Sequence, residues 1–255
     1  MSDPTRPSLP AQRRQDMLRA VRSGQTHVAD LAEAFGVSEM TVRRDLGRLA
    51  GEGKIERVRG GAVDADGERP FAETVVEHYE GKDRMGRAAA GLLLDGQTAM
   101  VDIGTSTLQA ARHLRGRSLT VITTSLAVYE ELLPEPGVEL VLPGGVVRRN
   151  YRSLVGVLAE DSLRQLHADV LLLGASAIDD EGGVWDSTMV EVPIKRAMIA
   201  SAARVVLLAD QRKFDRRSAV RICGARDLDQ IVTDAPLPAA CASAFTDAGV
   251  EVMVA

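Results

Sequence analysis

The run Met100-Val-Asp-Ile-Gly-Thr-Ser-Thr-Leu holds the residues best suited to grip an anion. It opens as an apolar strand and closes on a helical pattern. Gly104 allows close backbone approach, and Thr105, Ser106 and Thr107 offer hydroxyls as well as amides. At a helix N-terminus the first N–H groups lack intrahelical partners and the helix dipole favours negative charge, so this run reads as a phosphate cradle. A strand-to-helix turn with Thr/Ser caps is the plainer alternative. No lysine follows at Walker-loop spacing and G-x-G-x-x-G is absent, which disfavours ATP and NAD. No cofactor is expected.

Other polar and glycine-rich runs fall where apolar strands end. They are Thr123-Thr124-Ser125, Pro143-Gly144-Gly145, Leu173-Gly174-Ala175-Ser176 and Ala209-Asp210-Gln211-Arg212-Lys213-Phe214. Lys195, on the helix near Glu191, and Lys213 could neutralise a phosphate or hold a sugar hydroxyl. Each lysine alone reads as a surface residue; as a set at strand ends they read as one pocket.

A second chemistry lies near the N-terminus, in SEMTVRRDLGRLA. At about 100° per residue, Val42, Leu46 and Leu49 share one helix face. Met40, Thr41, Arg44 and Arg48 then point away, with Arg43 at the flank, and Ser38 is placed to cap the helix. An N-capped helix with outward arginines suits the DNA major groove, where guanidinium forks grip guanine edges or phosphates. A solvated helix with i,i+4 charge pairs is the alternative. The short helix before it and the Gly36-Val37 turn give a helix-turn-helix spacing. The run KIERVRGGA then reads as a basic wing, with Arg57 and Arg59 set to touch phosphate, or as a plain hairpin closing a small domain.

The elements that must carry these groups follow from the pattern. Residues 1–10 contain three prolines and read as a tail. Helices are expected over Gln12–Arg22, ended by Gly24, then His27–Phe35 and Ser38 to Ala50, with a strand over Lys54–Val58. Val63 to Arg69 is polar and linker-like, and 70–95 reads as two helical pieces broken near Gly81. Strands are expected at Thr98–Ile103, Leu119–Thr123, Val138–Leu142, Val170–Leu173, Val205–Ala209 and Gln230–Thr233, with helices such as Thr107–Arg115 and Val190–Ala203 between them. Continuous apolar strands alternating with helices indicate a mostly parallel sheet covered on both faces, which binds ligands at the carboxyl ends of its strands.

Bulk properties agree with two unequal domains. The chain has 255 residues, 45% of them hydrophobic, and a net charge of −5. Residues 1–60 carry 11 Lys+Arg against 8 Asp+Glu, and the remainder 20 against 28, so a mildly basic head precedes an acidic body. Cys223 and Cys241 lack metal-pair spacing and read as reduced thiols. The N-terminus has no apolar signal core and no run approaches the ~20 apolar residues of a membrane span, so a cytoplasmic protein with no membrane partner is expected.

The pattern Arg13…Met17…Val21…Ser38-x-x-Thr41-Val42-Arg43-Arg44-Asp45-Leu46, with GGA ending the wing, closely resembles the helix-turn-helix signature of the DeoR family of bacterial regulators. The strand-end motifs resemble the sensor domain of the same family. The resemblance implies an α/β protein: a winged helix-turn-helix over residues 10–62, a linker over 63–82, and an effector domain over 83–255. That domain is a Rossmann-like open, mostly parallel sheet resembling ribose-5-phosphate isomerase, the glucosamine-phosphate deaminases and CoA transferases. Operator DNA would be held by Ser38, Met40, Thr41, Arg43, Arg44, Arg48, Arg57 and Arg59. A phosphorylated sugar would be held by Gly104, Thr105, Ser106 and Thr107, with Asp102 ordering the loop from below. Thr124 (Asn in many relatives), Gly144, Gly145, Lys195 and Lys213 complete the implied site.

The comparison with the isomerases argues against catalysis. Their G-A-D-E motif carries the proton-transfer acids; here the matching run is Gly174-Ala175-Ser176-Ala177, and the isomerase glutamate falls at Lys195. Proton abstraction needs a positioned base, and only Asp179 and Glu191 stand nearby. The expected function is a repressor of a carbohydrate-metabolism operon, a dimer or tetramer, released from DNA by its sugar phosphate. An activator and a sugar-phosphate isomerase or deaminase with a DNA-binding head are the alternatives.

Overall fold

The computed structural model describes residues 10–22, 27–52, 54–58, 60–64, 71–214 and 217–255. The chain divides into two compact units, residues 1–70 and 71–255. The smaller holds α1 (Pro10–Arg22), α2 (Val28–Phe35), α3 (Glu39–Gly51) and the antiparallel hairpin β1 (Ile55–Val58) and β2 (Gly61–Asp64). Met17, Val21, Val28, Leu31, Val42, Leu46, Leu49, Ile55 and Ala62 form its core. Gly36 ends α2 at φ +60°, a left-handed conformation that favours glycine, and its N–H closes on the Ala32 and Glu33 carbonyls. Gly24 and Arg59, singled out in the sequence, lie outside the described residues.

The larger unit starts with α4 (Phe71–Thr74) and α5 (Tyr79–Ala90). It continues through β3 (Thr98–Val101), α6 (Thr105–Arg112), β4 (Leu119–Thr123), α7 (Leu126–Leu132) and β5 (Val138–Val141). The hairpin β6 (Val146–Arg148) and β7 (Ser153–Val155) leads to α8 (Val157–Arg164) and β8 (Val170–Gly174). Then come β9 (Ala177–Ile178), β10 (Val184–Asp186), α9 (Val192–Ala200), β11 (Val205–Leu208), β12 (Val220–Cys223), β13 (Gln230–Thr233), α10 (Ala239–Asp247) and β14 (Glu251–Val254).

Seven strands form one parallel sheet in the order β14-β13-β11-β8-β3-β4-β5. Alternate residues feed two cores. Met100, Ile122, Leu171, Leu173 and Leu207 pack with α8 and α9 on one face, and Ala99, Val101, Val121, Leu172 and Val206 with α5 and α6 on the other. Burial of both faces is why these strands read as unbroken apolar runs. Strand order reverses between β3 and β8, so the loops after these two strands flank the crevice of the switch point. A small antiparallel sheet, β12-β10-β9, lies beside the main one.

Three expectations need correction. The edge strand β14 is not among the expected strands; pairing with β13 rather than burial defines it, since only Met253 of its four residues is even half-buried. The expected linker 63–82 takes in the end of β2 and the first residues of the larger unit. Val63 and Asp64 lie in β2, while Phe71 is buried edge-on to Tyr151, ring centroids 5.5 Å apart, and donates its N–H to the Asn150 carbonyl at 3.1 Å. Finally, the break in 70–95 falls before α5, at His78 with φ +53°, where its ring pairs with Asp234; Gly81 sits inside α5.

α5 and α6 cross backbone to backbone at Gly86. A Cβ there would stand 2.7 Å from the Ala110 nitrogen and 2.7 Å from the Gln109 carbonyl carbon. Gly86→Ala is expected to destabilise the larger unit by about 1–3 kcal/mol, as overpacking of a close contact does. Urea unfolding checks this; an unchanged midpoint would show that the crossing has slack.

Candidate functional site

In the smaller unit α3 presents a free outer face. Ser38 caps it, accepting the Thr41 N–H at 3.3 Å, and the two hydroxyls pair at 3.0 Å. Met40 is 69% exposed on that face. Arg44 and Arg48 are exposed and make no ion pair among the described residues, while Arg43 pairs with Glu39 at 3.0 Å. Arg57 is exposed but donates to the Arg43 carbonyl at 3.0 Å, tying the wing's first strand to α3. The sequence reading missed Asp45. It is buried on the inner face of α3 and accepts from Arg13 of α1 at 2.8 Å, with Arg14 at 3.9 Å. Its spacing from Val42 and Leu49, three and four residues, is the signal that places it inward.

In the larger unit the Gly104–Thr107 run begins α6. Gly104 precedes the helix at φ +130°, which L residues rarely adopt, and Thr105, Ser106 and Thr107 form the first turn. The Thr107 hydroxyl donates to the Gly104 carbonyl at 3.0 Å and braces the turn. The hydroxyls of Thr105 and Ser106 take no part in a hydrogen bond among the described residues, although both residues are nearly buried. The helix therefore offers amides and two hydroxyls to an anion.

Beneath the loop lies an ionic clasp. Asp102, with no exposed surface, accepts from the Gly174 N–H at 3.0 Å and from the ammonium of Lys195. That ammonium also donates to the Gly174 carbonyl at 3.1 Å and stands 3.5 Å from Asp186. Burial opposes the charged amine, but Asp102 and Asp186 outweigh it and hold Lys195 above its ordinary range. Lys195 was expected as a ligand-facing cation; the structure places it under the loop, where its ammonium donates to Asp102 and Gly174 and faces Asp186. Asp102 does brace the loop from below. Gly174 is required at this point, since a Cβ would lie 2.9 Å from the Ile103 carbonyl.

The remaining strand-end residues divide. Thr124 is fully buried at the end of β4. Gly144 is exposed and Gly145 half-buried where the chain enters β6, and a Cβ on Gly145 would meet the Val155 carbonyl at 2.9 Å. Asp210 caps the turn holding Lys213, and two hydrogen bonds from the Arg212 guanidinium outweigh burial to hold its carboxyl below its ordinary range. Glu191 is buried against Arg148 and Ser153, and burial outweighs them to raise its carboxyl. Asp179 is held by Gly183, Trp185 and Arg217, so it is a bracing carboxylate.

A further cation escaped the sequence reading. Lys82 lies on the buried stripe of α5 with Met85, Gly86 and Ala89, and donates to the Thr74 carbonyl at 2.7 Å. Burial, with Arg212 and Lys213 adding like charge, lowers its amine to about 8. Its place in a helical period of small and apolar residues is the signal that marks it. Among the described residues there is no His/Cys/Asp/Glu cluster fit to hold a metal, and burial pushes the Cys223 thiol up to about 12. No described helix is long and apolar enough to cross a membrane.

Comparison with known proteins bears on both units. Residues 13–67 match the DeoR-like helix-turn-helix domain and residues 77–235 the DeoR C terminal sensor domain. The chain is 35% identical to the HTH-type transcriptional regulator GlpR of Haloferax volcanii, over 96% of this chain and 98% of that one. It is 32% identical to the glycerol-3-phosphate regulon repressor of Escherichia coli K12, over 92% and 95%. Among solved structures, ribose 5-phosphate isomerase A of Methanocaldococcus jannaschii aligns with a TM-score of 0.41 at 15% identity, over 54% of this chain and 55% of that one.

Two outcomes are expected. Arg44→Ala should cost ~1–3 kcal/mol of affinity for a selected operator if it reads a base; unchanged affinity in a folded variant would remove it from the interface. Lys82 should titrate near 8, followed by the ¹³Cε resonance of labelled lysine. Its folded value lies below its unfolded one, so the unfolded chain binds more protons between about pH 8 and 10.5. Its contribution to stability therefore rises across that window, and Lys82→Met should flatten the rise.

Proposed function

The chain belongs to the DeoR family of transcriptional regulators, binding DNA through its helix-turn-helix and an effector through its sensor domain, and we propose that it represses a carbohydrate-metabolism operon under the control of a phosphorylated sugar. The observation that carries this reading is the first turn of α6. Gly104 in a left-handed conformation, the helix amides and the two uncommitted hydroxyls of Thr105 and Ser106 suit a phosphate. The printed name of one relative, a glycerol-3-phosphate regulon repressor, points to the same chemistry for that protein.

The enzyme alternative lacks a base. Gly174-Ala175-Ser176-Ala177 carries no acid. The two nearby carboxylates, Asp179 and Glu191, brace neighbouring chain, and Lys195 is held by Asp102. The family's activity is regulation.

On the DNA side, Arg44 and Arg48, with Met40 and Thr41, face the major groove from α3, and Arg43 and the wing arginines Arg57 and Arg59 meet phosphates. One such helix covers too little DNA for tight, specific binding, so the active form is a dimer or tetramer reading paired half-sites. Gly144, Gly145 and Lys213 line the effector site with the α6 loop. The response reaches the head through the chain itself, because Phe71, where the larger unit begins, is held by Asn150 and Tyr151 between β6 and β7.

A ligand shifts this equilibrium only by its differential affinity for the two states, typically ~1–3 kcal/mol of coupling. Thr105→Asp and Ser106→Asp put negative charge where the phosphate would sit. Both variants should bind operator normally and lose the response to a sugar phosphate found by thermal shift. DNA-binding titrations with and without that ligand check this; a response equal to wild type would place the phosphate elsewhere.

A further inference from the structure

We infer that the break between α4 and α5 is a hinge held by a latch of His78 and Asp234, and that opening the latch joins the two helices and changes the affinity of the head for operator. Nothing local enforces the break. Val75-Val76-Glu77-His78 contains neither proline nor glycine, the residues that end helices. The stripe that faces the core also runs on across it. Phe71, Val75, His78, Lys82, Met85 and Ala89 follow at intervals of four, three, four, three and four, the repeat of a single helix face. Phe71, Val75, Met85 and Ala89 pack into one core. Yet α4 stops at Thr74, and His78 takes φ +53°, a left-handed conformation that residues other than glycine adopt at a cost.

Distant contacts hold the break. The His78 ring pairs with Asp234, whose side chain is almost fully buried. The other carboxylate oxygen of Asp234 accepts the Gln211 N–H at 2.8 Å. Glu77 stands 3.9 Å from the Arg212 guanidinium. The Lys82 ammonium donates to the Thr74 carbonyl at 2.7 Å, the carbonyl that a continuous helix would offer to the His78 N–H. Among the described residues no backbone hydrogen bond runs from the amides of residues 78–81 across the break to the carbonyls of 74–77. Gly81 shows the same crowding from inside α5. A Cβ there would stand 2.6 Å from His78 Nε2 and 2.7 Å from the Asp234 carboxylate. Glycine weakens a helix interior, so its presence here fits the closed latch and not the helix.

The latch lies between the crevice and the chain that leads to the head. The Gln211–Lys213 turn follows β11 and begins at the amide that Asp234 holds. A shift of that turn pulls on Asp234 and, through Arg212, on Glu77. Lys213 belongs to the effector site in the reading above, but none of the latch contacts includes it. At the other end, α4 opens the larger unit at Phe71. Bringing α4 into line with α5 therefore redirects the chain arriving from the smaller unit.

The test uses the full-length protein with no effector added. His78→Ala removes the ring and places the best helix former at the hinge. Gly81→Ala adds a methyl that displaces the ring, whose far end is free to yield. In both variants, amide hydrogen exchange read by mass spectrometry on peptides spanning 76–82 should slow by about ten-fold or more at residues 78–81. Operator affinity in DNA-binding titrations should shift by about five-fold or more. His78→Gly also removes the ring but suits the left-handed conformation, so exchange at 78–81 should not slow; this separates joining of the helices from mere loss of the histidine contact. His78→Ala decides alone should Gly81→Ala fail to fold. The hinge is ruled out if exchange at 78–81 is unchanged or faster in the alanine variants, if His78→Gly slows it equally, or if slowed exchange leaves operator affinity at the wild-type value. A failure here leaves the phosphate site untouched, since that site is tested by the response of Thr105→Asp and Ser106→Asp to ligand.

Discussion

The buried pair of Asp102 and Lys195 is the contact on which the sensor unit turns. It sits where strand order reverses, and it joins three elements that are distant in sequence: the end of β3, the end of β8 through Gly174, and α9. Burying two charges is expensive, and the attraction between them offsets this only when the remaining donors and acceptors are satisfied. Here the Gly174 amide and carbonyl and the Asp186 carboxylate supply much of that satisfaction. The Gly104–Thr107 run starts two residues after Asp102, so its placement is inherited from the clasp.

That arrangement also explains why the loop is suited to sensing rather than turnover. A proton-transfer site needs a base with access to the substrate and a value near the working pH. In this crevice the acids are committed: Asp102 to Lys195, Asp179 to its own turn, and Glu191 to Arg148 and Ser153 through one oxygen. The groups left uncommitted at the start of α6 are amides and the hydroxyls of Thr105 and Ser106, which bind without reacting.

The smaller unit follows a different economy. Among the described residues its core is nine buried side chains, a small one for a unit that must stand alone. The Asp45 pairing with Arg13 ties α3 back to α1 from the inner face, and Arg57 ties the wing to the same helix from outside. A reading helix needs its outer side chains presented at a constant angle. Clamping α3 from two sides achieves this while leaving Arg44 and Arg48 uncommitted.

Periodicity alone identified the head helices, the outward arginines and six of the seven parallel strands, because each rests on local propensity or on burial that repeats along one segment. The α6 loop was legible for the same reason: a glycine and three hydroxyl residues between a strand and a helix are a contiguous signal. Phe71 read as linker, β14 was not read at all and Lys195 read as a ligand-facing cation, since what decides each lies far along the chain. Phe71 is settled by Tyr151, β14 by pairing with β13, and Lys195 by Asp102, 93 residues away. A lysine in a helix is compatible with solvent, ligand or core. Only the fold, by bringing a buried carboxylate to its ammonium, selects among them, because the energy of a charge depends on its surroundings and not on its neighbours in sequence.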